Sequence, residues 1–145
     1  MALLLAFLAT LTAGCATGRW GGNVSSVSRY FDANADTVWN AVVQAAEGTP
    51  VEVKDKEKGV LRTRWVNRWS ENKSMGLLLE GRWQERYRLH VKLTDRKDKT
   101  YVSICAQIEE KAPGGSRAYR WSSATSDGTL EREFLRKLER LMGNP

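Results

Sequence analysis

The sequence predicts an α+β domain in which two helices pack on one face of a single antiparallel sheet. Three observations predict it: stretches in which apolar and polar residues alternate, two segments with apolar residues at helical spacing, and turn-forming residues between them. A helix with one apolar stripe must bury that stripe, and the apolar face of a sheet can cover it. The predicted order is β-α-β-β-β-β-β-α, in one domain without internal repeats.

The chain opens with a short apolar leader, residues 2–11, that runs into Leu11-Thr12-Ala13-Gly14-Cys15. Small residues before a cleavage point fit the groove of a signal peptidase, and a secretory leader needs them there. A cysteine at the first mature position can carry a diacylglycerol on its sulfur. The segment resembles a bacterial lipoprotein signal, with Thr12 where leucine is commonest. We therefore predict a signal peptide over residues 1–14 and a lipid on Cys15.

The alternatives are a transmembrane anchor, a plain secretory signal and a buried N-terminal helix. About a dozen helical residues span about 20 Å, which is short of the ~30 Å hydrocarbon core of a bilayer. A plain secretory signal leaves the position of Cys15 to chance. The expected location is therefore the cell envelope, with a domain that faces the periplasm, and Ala16 after the cysteine favours the outer membrane.

Composition describes a basic, folded protein. A hydrophobic content of 41% and six tryptophans indicate a globule, and the formal net charge is +6. Such a charge suits anionic lipid head groups, acidic proteins or nucleic acid, and export makes nucleic acid an unexpected partner. With Cys15 acylated, Cys105 has no cysteine to pair with, and we expect it to be a small buried hydrophobe.

The first elements are a tether over residues 15–26, then a strand that starts near Val27 at the beginning of a domain over residues 27–145. Asn34 is placed to cap a helix over residues 35–46 that carries a stripe with Trp39. Two strands follow around a charged turn at residues 54–59. In the second of them, one set of residues alternates with Arg62 and Arg64 and is expected to face the helices: Leu61, Thr63 and Trp65.

Residues 67–81 are the least regular part, and their apolar centre, residues 74–79, either packs on the sheet or forms an exposed loop for a partner or bilayer. Alternation then predicts two strands, over residues 86–93 and 102–108, and a further strand is expected at residues 118–122. Ser126 or Asp127 is placed to cap a final helix over residues 128–142. Its predicted buried stripe is Leu130, Phe134, Leu138 and Leu141.

Four segments carry a resemblance to a known family. They are Asp36-Thr37-Val38-Trp39-Asn40-Ala41, Val51-Glu52-Val53-Lys54-Asp55, Gly59-Val60-Leu61-Arg62-Thr63-Arg64-Trp65-Val66 and the run from Ser126 to Leu138. In this order they resemble a helix-grip domain of the BamC (NlpB/DapX) lipoproteins. The resemblance implies a helix-grip fold and an outer-membrane lipoprotein accessory to the β-barrel assembly machinery. It carries over no binding residue beyond the lipidated Cys15.

Residues for catalysis or metal binding are not grouped in this sequence. The single histidine, His90, lies mid-strand among cations, and Glu109 and Glu110 are neighbours that a strand would point to opposite faces. No glycine-rich phosphate loop follows a strand and opens a helix. The sequence therefore predicts a non-enzyme without metal or cofactor.

Two surfaces remain as candidates for binding. A basic strand face could meet anionic head groups or an acidic partner, or could simply keep the sheet soluble; its residues are Arg62, Arg64, Arg86, Arg88 and Lys92. Alternatively, the protein could carry an apolar ligand or lipid in a groove between the final helix and the sheet. The residues expected along that groove are Trp65, Leu77, Leu78, Leu79, Trp83 and Phe134. The sequence leaves the partner, the ligand and the oligomeric state open.

Overall fold

The sheet is built around one long antiparallel hairpin, β5 and β6. The computed structural model describes residues 25–73 and 82–143, with only the backbone described for residues 71–73. Its strands are β1 (Ser26–Phe31), β2 (Val51–Asp55), β3 (Val60–Thr63), β4 (Val66–Lys73), β5 (Arg82–Arg96), β6 (Lys99–Lys111) and β7 (Ser122–Ala124). Its helices are α1 (Ala35–Ala45) and α2 (Thr129–Leu141), and a 3-10 turn, Ser116–Tyr119, precedes β7.

The hairpin is longer than any of the strands beside it, so the sheet has two halves. The strand order is β1-β6-β5-β3-β2 in the half near the β5–β6 turn, while β4 pairs with β5 and β7 pairs with β6 further along. We call this second part the distal half, and define it by residues 82–87 of β5 and 108–111 of β6. All the strand pairs described are antiparallel.

The core lies between the sheet and both helices. Residues Leu89, Val91 and Leu93 of β5 point toward the helices, while the alternate residues point to the other face, which we call the outer face. The helices contribute Val38, Trp39, Val42, Phe134 and Leu138 to this core. The predicted α+β class, with both helices on one face of an antiparallel sheet, is confirmed.

The two helices begin in different ways. The Asn34 side chain accepts a hydrogen bond from the Thr37 backbone N–H at 2.8 Å, so the predicted cap of α1 is confirmed. The prediction for α2 is wrong, because the residue that caps it is Gly128, at φ 81°. The Ser126 hydroxyl instead accepts a hydrogen bond from the Gly128 backbone N–H, and Asp127 accepts one from the N–H of Thr129, the first residue of the helix.

The number of strands differs from the prediction. β4 lies in the region that was expected to be least regular. Its residues are mostly polar, so the sequence shows no alternation of apolar residues there. It forms a strand because it pairs with the long β5. The prediction of a strand at residues 118–122 is also wrong. The 3-10 turn occupies residues 116–119, and the strand that follows it, β7, starts only at Ser122. Leu77, Leu78 and Leu79 lie outside the described residues.

The stripe of α2 is shorter than expected. Phe134 and Leu138 are buried, but Leu141 is 41% exposed, and Glu131 at the start of the helix is fully buried. The helix therefore packs on the core through Glu131, Phe134 and Leu138, and Leu141 in its last turn faces solvent although Met142 still contacts the core. Neither α1 nor α2 is long and apolar enough to cross a bilayer.

Candidate binding surface

Trp65 lies on the outer face because the chain between β3 and β4 holds one residue more than the segment of β5 that faces it. Arg62 pairs with His90, and Val66 pairs with Tyr87. The three residues between Arg62 and Val66 therefore lie opposite only two residues of β5. Such a bulge reverses the alternation of side chains beyond it. Trp65 therefore lies on the outer face, and the prediction that it shares the face of Leu61 and Thr63 is wrong.

Trp65 takes part in a stack of aromatic rings and guanidinium groups. The guanidinium carbon of Arg86 lies 4.5 Å from the Trp65 ring centroid and 4.4 Å from that of Trp121, so this group is sandwiched between two indoles. Arg88 lies over Trp65 as well, at 4.6 Å. Each such contact contributes about 0.5–2 kcal/mol, depending on its exposure to water. We call Trp65, Arg86, Arg88 and Trp121 the Trp–Arg stack.

Two carboxylates hold the arginines of this face in position. Arg62 Nε donates to Glu52 at 3.0 Å, and Arg88 Nη1 lies 3.6 Å from the same carboxylate oxygen. On the other side of the stack, Arg86 Nε donates to Glu109 at 2.8 Å. The arginine side chains are therefore ordered before any partner arrives, which lowers the entropic cost of binding.

The face nevertheless keeps a surplus of positive charge. Two of its predicted cations, Arg64 and Lys92, form no salt bridge with a carboxylate among the described residues. Arg64 is exposed, and Lys92 donates a hydrogen bond to the Lys58 carbonyl. The five predicted cations thus stand against the two carboxylates, Glu52 and Glu109. Four of the five predicted basic residues belong to β3 or β5, and Arg64 directly follows β3.

Burial and like charges act on the titratable groups here. Burial lowers the pKa of Arg88, and neighbouring Arg62 adds to the effect, although a guanidinium stays charged near neutral pH. Burial also lowers the pKa of His90, with further contributions from Arg62, Lys92 and Arg88. His90 is therefore neutral at pH 7. It pairs with Cys105, which is buried at 6% exposure.

The described members of the predicted groove do not come together. Phe134 is 5% exposed and belongs to the core, while Trp65 lies on the opposite face of the sheet. Trp83 lies in the distal half, where the guanidinium of Arg117 is 5.4 Å from its ring centroid. The leucines of residues 77–79 and the lipidation site Cys15 lie outside the described residues.

Two shallow concavities lie at the distal end of the sheet. The larger has a volume of about 430 Å³ and is lined by Trp69, Arg82, Gln84, Lys111, Ala112, Pro113 and Ala118. The smaller, of about 230 Å³, lies beside Trp83 and residues 112–117. Neither Trp69 nor Trp121 is predicted from the sequence as a binding residue. Each lies in or beside a strand, β4 or the short β7, that leaves no periodic pattern in the sequence.

The described residues hold no group of three His, Cys, Asp or Glu side chains that could bind a metal ion. The Glu109 and Glu110 side chains have different partners: Glu109 bonds to Arg86 and Glu110 accepts a hydrogen bond from Ser70. A non-catalytic role stays a prediction, which these side chains neither establish nor contradict.

Comparison with known proteins defines no family for this chain. No family model and no curated protein matches the sequence. Among solved structures, it is similar to a DUF4468 family protein from Bacteroides ovatus, with a TM-score of 0.49, 11% identity, and 83% of this chain and 86% of that chain covered. A TBP-like protein from Parabacteroides distasonis has a TM-score of 0.40 and 9% identity, over 83% of this chain and 85% of that one.

A conserved protein from Geobacillus kaustophilus gives a TM-score of 0.37 at 10% identity, over 81% of this chain and 93% of that chain. These similarities are too low to support an argument about function. None of the three is described as a barrel-assembly lipoprotein, so the resemblance to BamC stays a prediction from the sequence.

Proposed function

We propose that this protein is a lipid-anchored, non-catalytic module of the bacterial envelope that faces the periplasm and binds a protein partner through its outer face. The sequence Leu11-Thr12-Ala13-Gly14-Cys15 supports the anchor, because two or three acyl chains at such a cysteine hold a protein stably at a membrane. Both helices pack on the other face of the sheet, so neither of them covers the outer face.

The Trp–Arg stack is the observation that carries the proposed binding site. Tryptophan and arginine are the residues that most often dominate the energy of protein interfaces. Here Arg86 and Arg88 are held against Trp65, with their orientation set by carboxylates before binding. Guanidinium groups in this state still have edges that can donate to carboxylates. With five cations against two carboxylates, the face suits an acidic protein surface.

A component of the β-barrel assembly machinery is the partner that the resemblance to BamC implies. The bacterial outer membrane is also where the predicted lipid anchor would place the domain. We therefore propose an accessory role in barrel assembly, with the outer face as the point of contact.

Lipidation can be tested in cells fed with a clickable fatty acid. The wild-type protein is expected to acquire the label and to remain in the membrane fraction. Cys15→Ser is expected to lose the label, because it lacks the sulfur that carries the lipid. A wild-type protein that stays unlabelled contradicts the anchor.

The binding face can be tested by crosslinking in intact cells, followed by recovery of the protein from membranes. The double variant Arg62→Gln/Arg88→Gln keeps polar side chains at both positions but removes two positive charges from the outer face. It is expected to recover severalfold less of a barrel-assembly component than wild type does. The matched control is Arg136→Gln/Arg140→Gln, which removes two charges from exposed positions of α2.

Equal recovery by wild type and both double variants contradicts the outer face as the binding site. If wild-type membranes yield no barrel-assembly component, the proposed partner is wrong. Because the control carries the same change of net charge, a loss confined to the outer-face variant identifies a local effect.

A further inference from the structure

We propose that the distal end of the sheet faces the bilayer that holds the lipid anchor, and that its aromatic and basic side chains lie against phospholipid head groups. This inference rests on the proposed lipidation of Cys15. We define the distal end by six residues around the far ends of β5 and β6: Trp69, Arg82, Lys111, Arg117, Tyr119 and Arg120.

The direction in which the chain enters the domain selects this end. β1 is antiparallel to β6, with Ser26 opposite Cys105 and Phe31 opposite Thr100. Ser25, which immediately precedes the strand, therefore lies on the side of the higher-numbered residues of β6, which lead to Lys111.

The tether is also long enough to permit contact at this end. Lys111 lies six residues beyond Cys105 along β6, which is about 20 Å at the usual rise of a strand. Nine residues, 16–24, separate Cys15 from Ser25, and these ten steps along the chain span at most about 35 Å. An anchor on Cys15 can thus lie level with the distal end or beyond it.

The exposed aromatic residues of this end are of the kind favoured at membrane interfaces. Tyr119 is 90% exposed and Trp69 is 59% exposed, although both are large and partly apolar. Tryptophan and tyrosine concentrate where a bilayer meets water, since one part of the ring system is apolar and another forms hydrogen bonds.

The charge of the distal end matches phospholipid phosphates. Arg82, Lys111, Arg117 and Arg120 form no salt bridge with any residue that the structure describes. The larger concavity, of about 430 Å³, places two of these cations beside Trp69, so a phosphate could lie against positive charge and an indole together.

The carboxylates of this region are already engaged elsewhere. Glu85 is 7% exposed and bonds to Arg68, and Glu110 accepts a hydrogen bond from Ser70. The charge of Glu85 is therefore offset by Arg68 and does little to cancel the cations that face outward. The opposite end of the hairpin differs in charge, because residues 95–99 mix two aspartates with three basic residues. The exposed Tyr30 lies near that end, opposite Tyr101.

The orientation can be measured on the full-length natural product in vesicles of phosphatidylcholine with a minority of phosphatidylglycerol. An environment-sensitive fluorophore is placed at Ser116→Cys, in the distal end, or at Asp98→Cys, in the β5–β6 turn. Head-group-labelled nitroxide lipids are expected to quench the label at position 116 severalfold more than the label at position 98. Equal quenching, or stronger quenching at position 98, overturns the inference.

Charge reversal gives a second measurement with a matched control. Arg117→Glu/Arg120→Glu is expected to reduce quenching of a label at position 116 severalfold, because the altered end is repelled by phosphatidylglycerol. Arg96→Glu/Lys97→Glu changes the net charge equally at the other end and is expected to leave quenching unchanged. The same loss in both variants overturns a specific role of the distal end.

The mass of the purified protein separates this inference from the proposed function. An unacylated product overturns both, because no anchor then fixes the distance to a bilayer. An acylated product whose label at position 116 stays unquenched overturns the orientation alone and leaves the anchored interaction module intact.

Discussion

Glu131 shows how one buried side chain completes the edge of the sheet. β1 pairs with β6 as far as Cys105, and β7 resumes the pairing at Ile108, so the backbone N–H of Ala106 lies at a gap between the two strands. Glu131 is fully buried, accepts a hydrogen bond from that N–H at 3.1 Å, and accepts another from the Ser126 hydroxyl at 2.9 Å. The carboxylate thus satisfies a donor that no strand reaches.

We expect Glu131→Ala to lower the free energy of unfolding by about 2–3 kcal/mol, because it leaves the buried Ala106 N–H without an acceptor. Glu131→Gln keeps one carbonyl oxygen and should lower it by less. Urea denaturation measures both. Glu133→Ala, at an exposed position of the same helix, is the control and should change the value by no more than about 0.5 kcal/mol. A loss at Glu131 no greater than at Glu133 contradicts this role.

His90 makes stability depend on pH in a predictable direction. Its pKa in the folded protein lies below the ordinary value of 6.5, owing first to burial and then to Arg62, Lys92 and Arg88. As pH falls below about 6.5, the unfolded chain binds a proton that the folded protein resists, so this residue's contribution to the free energy of unfolding decreases. Above that pH its contribution is constant.

This prediction can be checked by NMR titration of the imidazole, since His90 is the single histidine of the chain. The folded protein is expected to titrate below 6.5. His90→Gln should remove the corresponding slope from the dependence of stability on pH. A folded-state pKa above that ordinary value would contradict the effect of the surrounding cations.

At the scale of the elements, the turn between β2 and β3 depends on a glycine. Gly59 has φ +61°, and a Cβ built on it would lie 2.7 Å from the Leu93 carbonyl oxygen. Its own carbonyl accepts a hydrogen bond from the Leu93 N–H at 2.8 Å, which joins the turn to β5. A side chain at this position would therefore strain the backbone and push against the neighbouring strand.

Gly59→Ala is expected to destabilise the protein by more than Gly48→Ala does. Gly48 also has a positive φ, of 85°, but nothing lies within 4 Å of an added Cβ, so its substitution carries only the conformational cost of about 1–2 kcal/mol. Thermal unfolding of the two variants under one buffer condition measures the difference. Equal losses would show that the contact with Leu93 relaxes freely.

The bulge between β3 and β4 has the largest consequence of any single element for the candidate site. Without it, Trp65 would lie on the helix side, as the alternation after Leu61 predicts. With it, the indole lies under Arg86 and Arg88 on the outer face. A shift of one residue in strand register thus decides whether the Trp65 ring lies against two guanidinium groups.

At the scale of the molecule, both helices and the sheet share one core. Leu138 is fully buried in it, whereas Leu141, one turn further along α2, is 41% exposed. Leu138→Ala is expected to lower the free energy of unfolding by about 2–5 kcal/mol, and Leu141→Ala by less than about 1 kcal/mol. Denaturation followed separately by tryptophan fluorescence and by circular dichroism measures both losses. For each variant, the two probes should give one coincident transition.

Much of the architecture could be predicted because local patterns and the core agree with one another. The stripe of α1 and the alternation of β5 each require burial on one side, and the Asn34 cap marks where the helix begins, so the α+β class followed from them. The basic residues of the outer face could be named for the same reason. Their carboxylate and tryptophan partners could not, since those come from distant parts of the chain.

The sequence alone determined where the helices lie, which residues of the central strands face the core, and that an apolar leader ends at a lipobox-like cysteine. These features depend on neighbouring residues and on periodicity, and both can be read along the chain. Only the tertiary structure decided that β4 is a strand, that Trp65 lies on the outer face, that Glu131 is buried, and that β1 begins on its distal side. The physical reason is that pairing register and the gaps between strands depend on which strands meet, and that is settled only when the sheet forms.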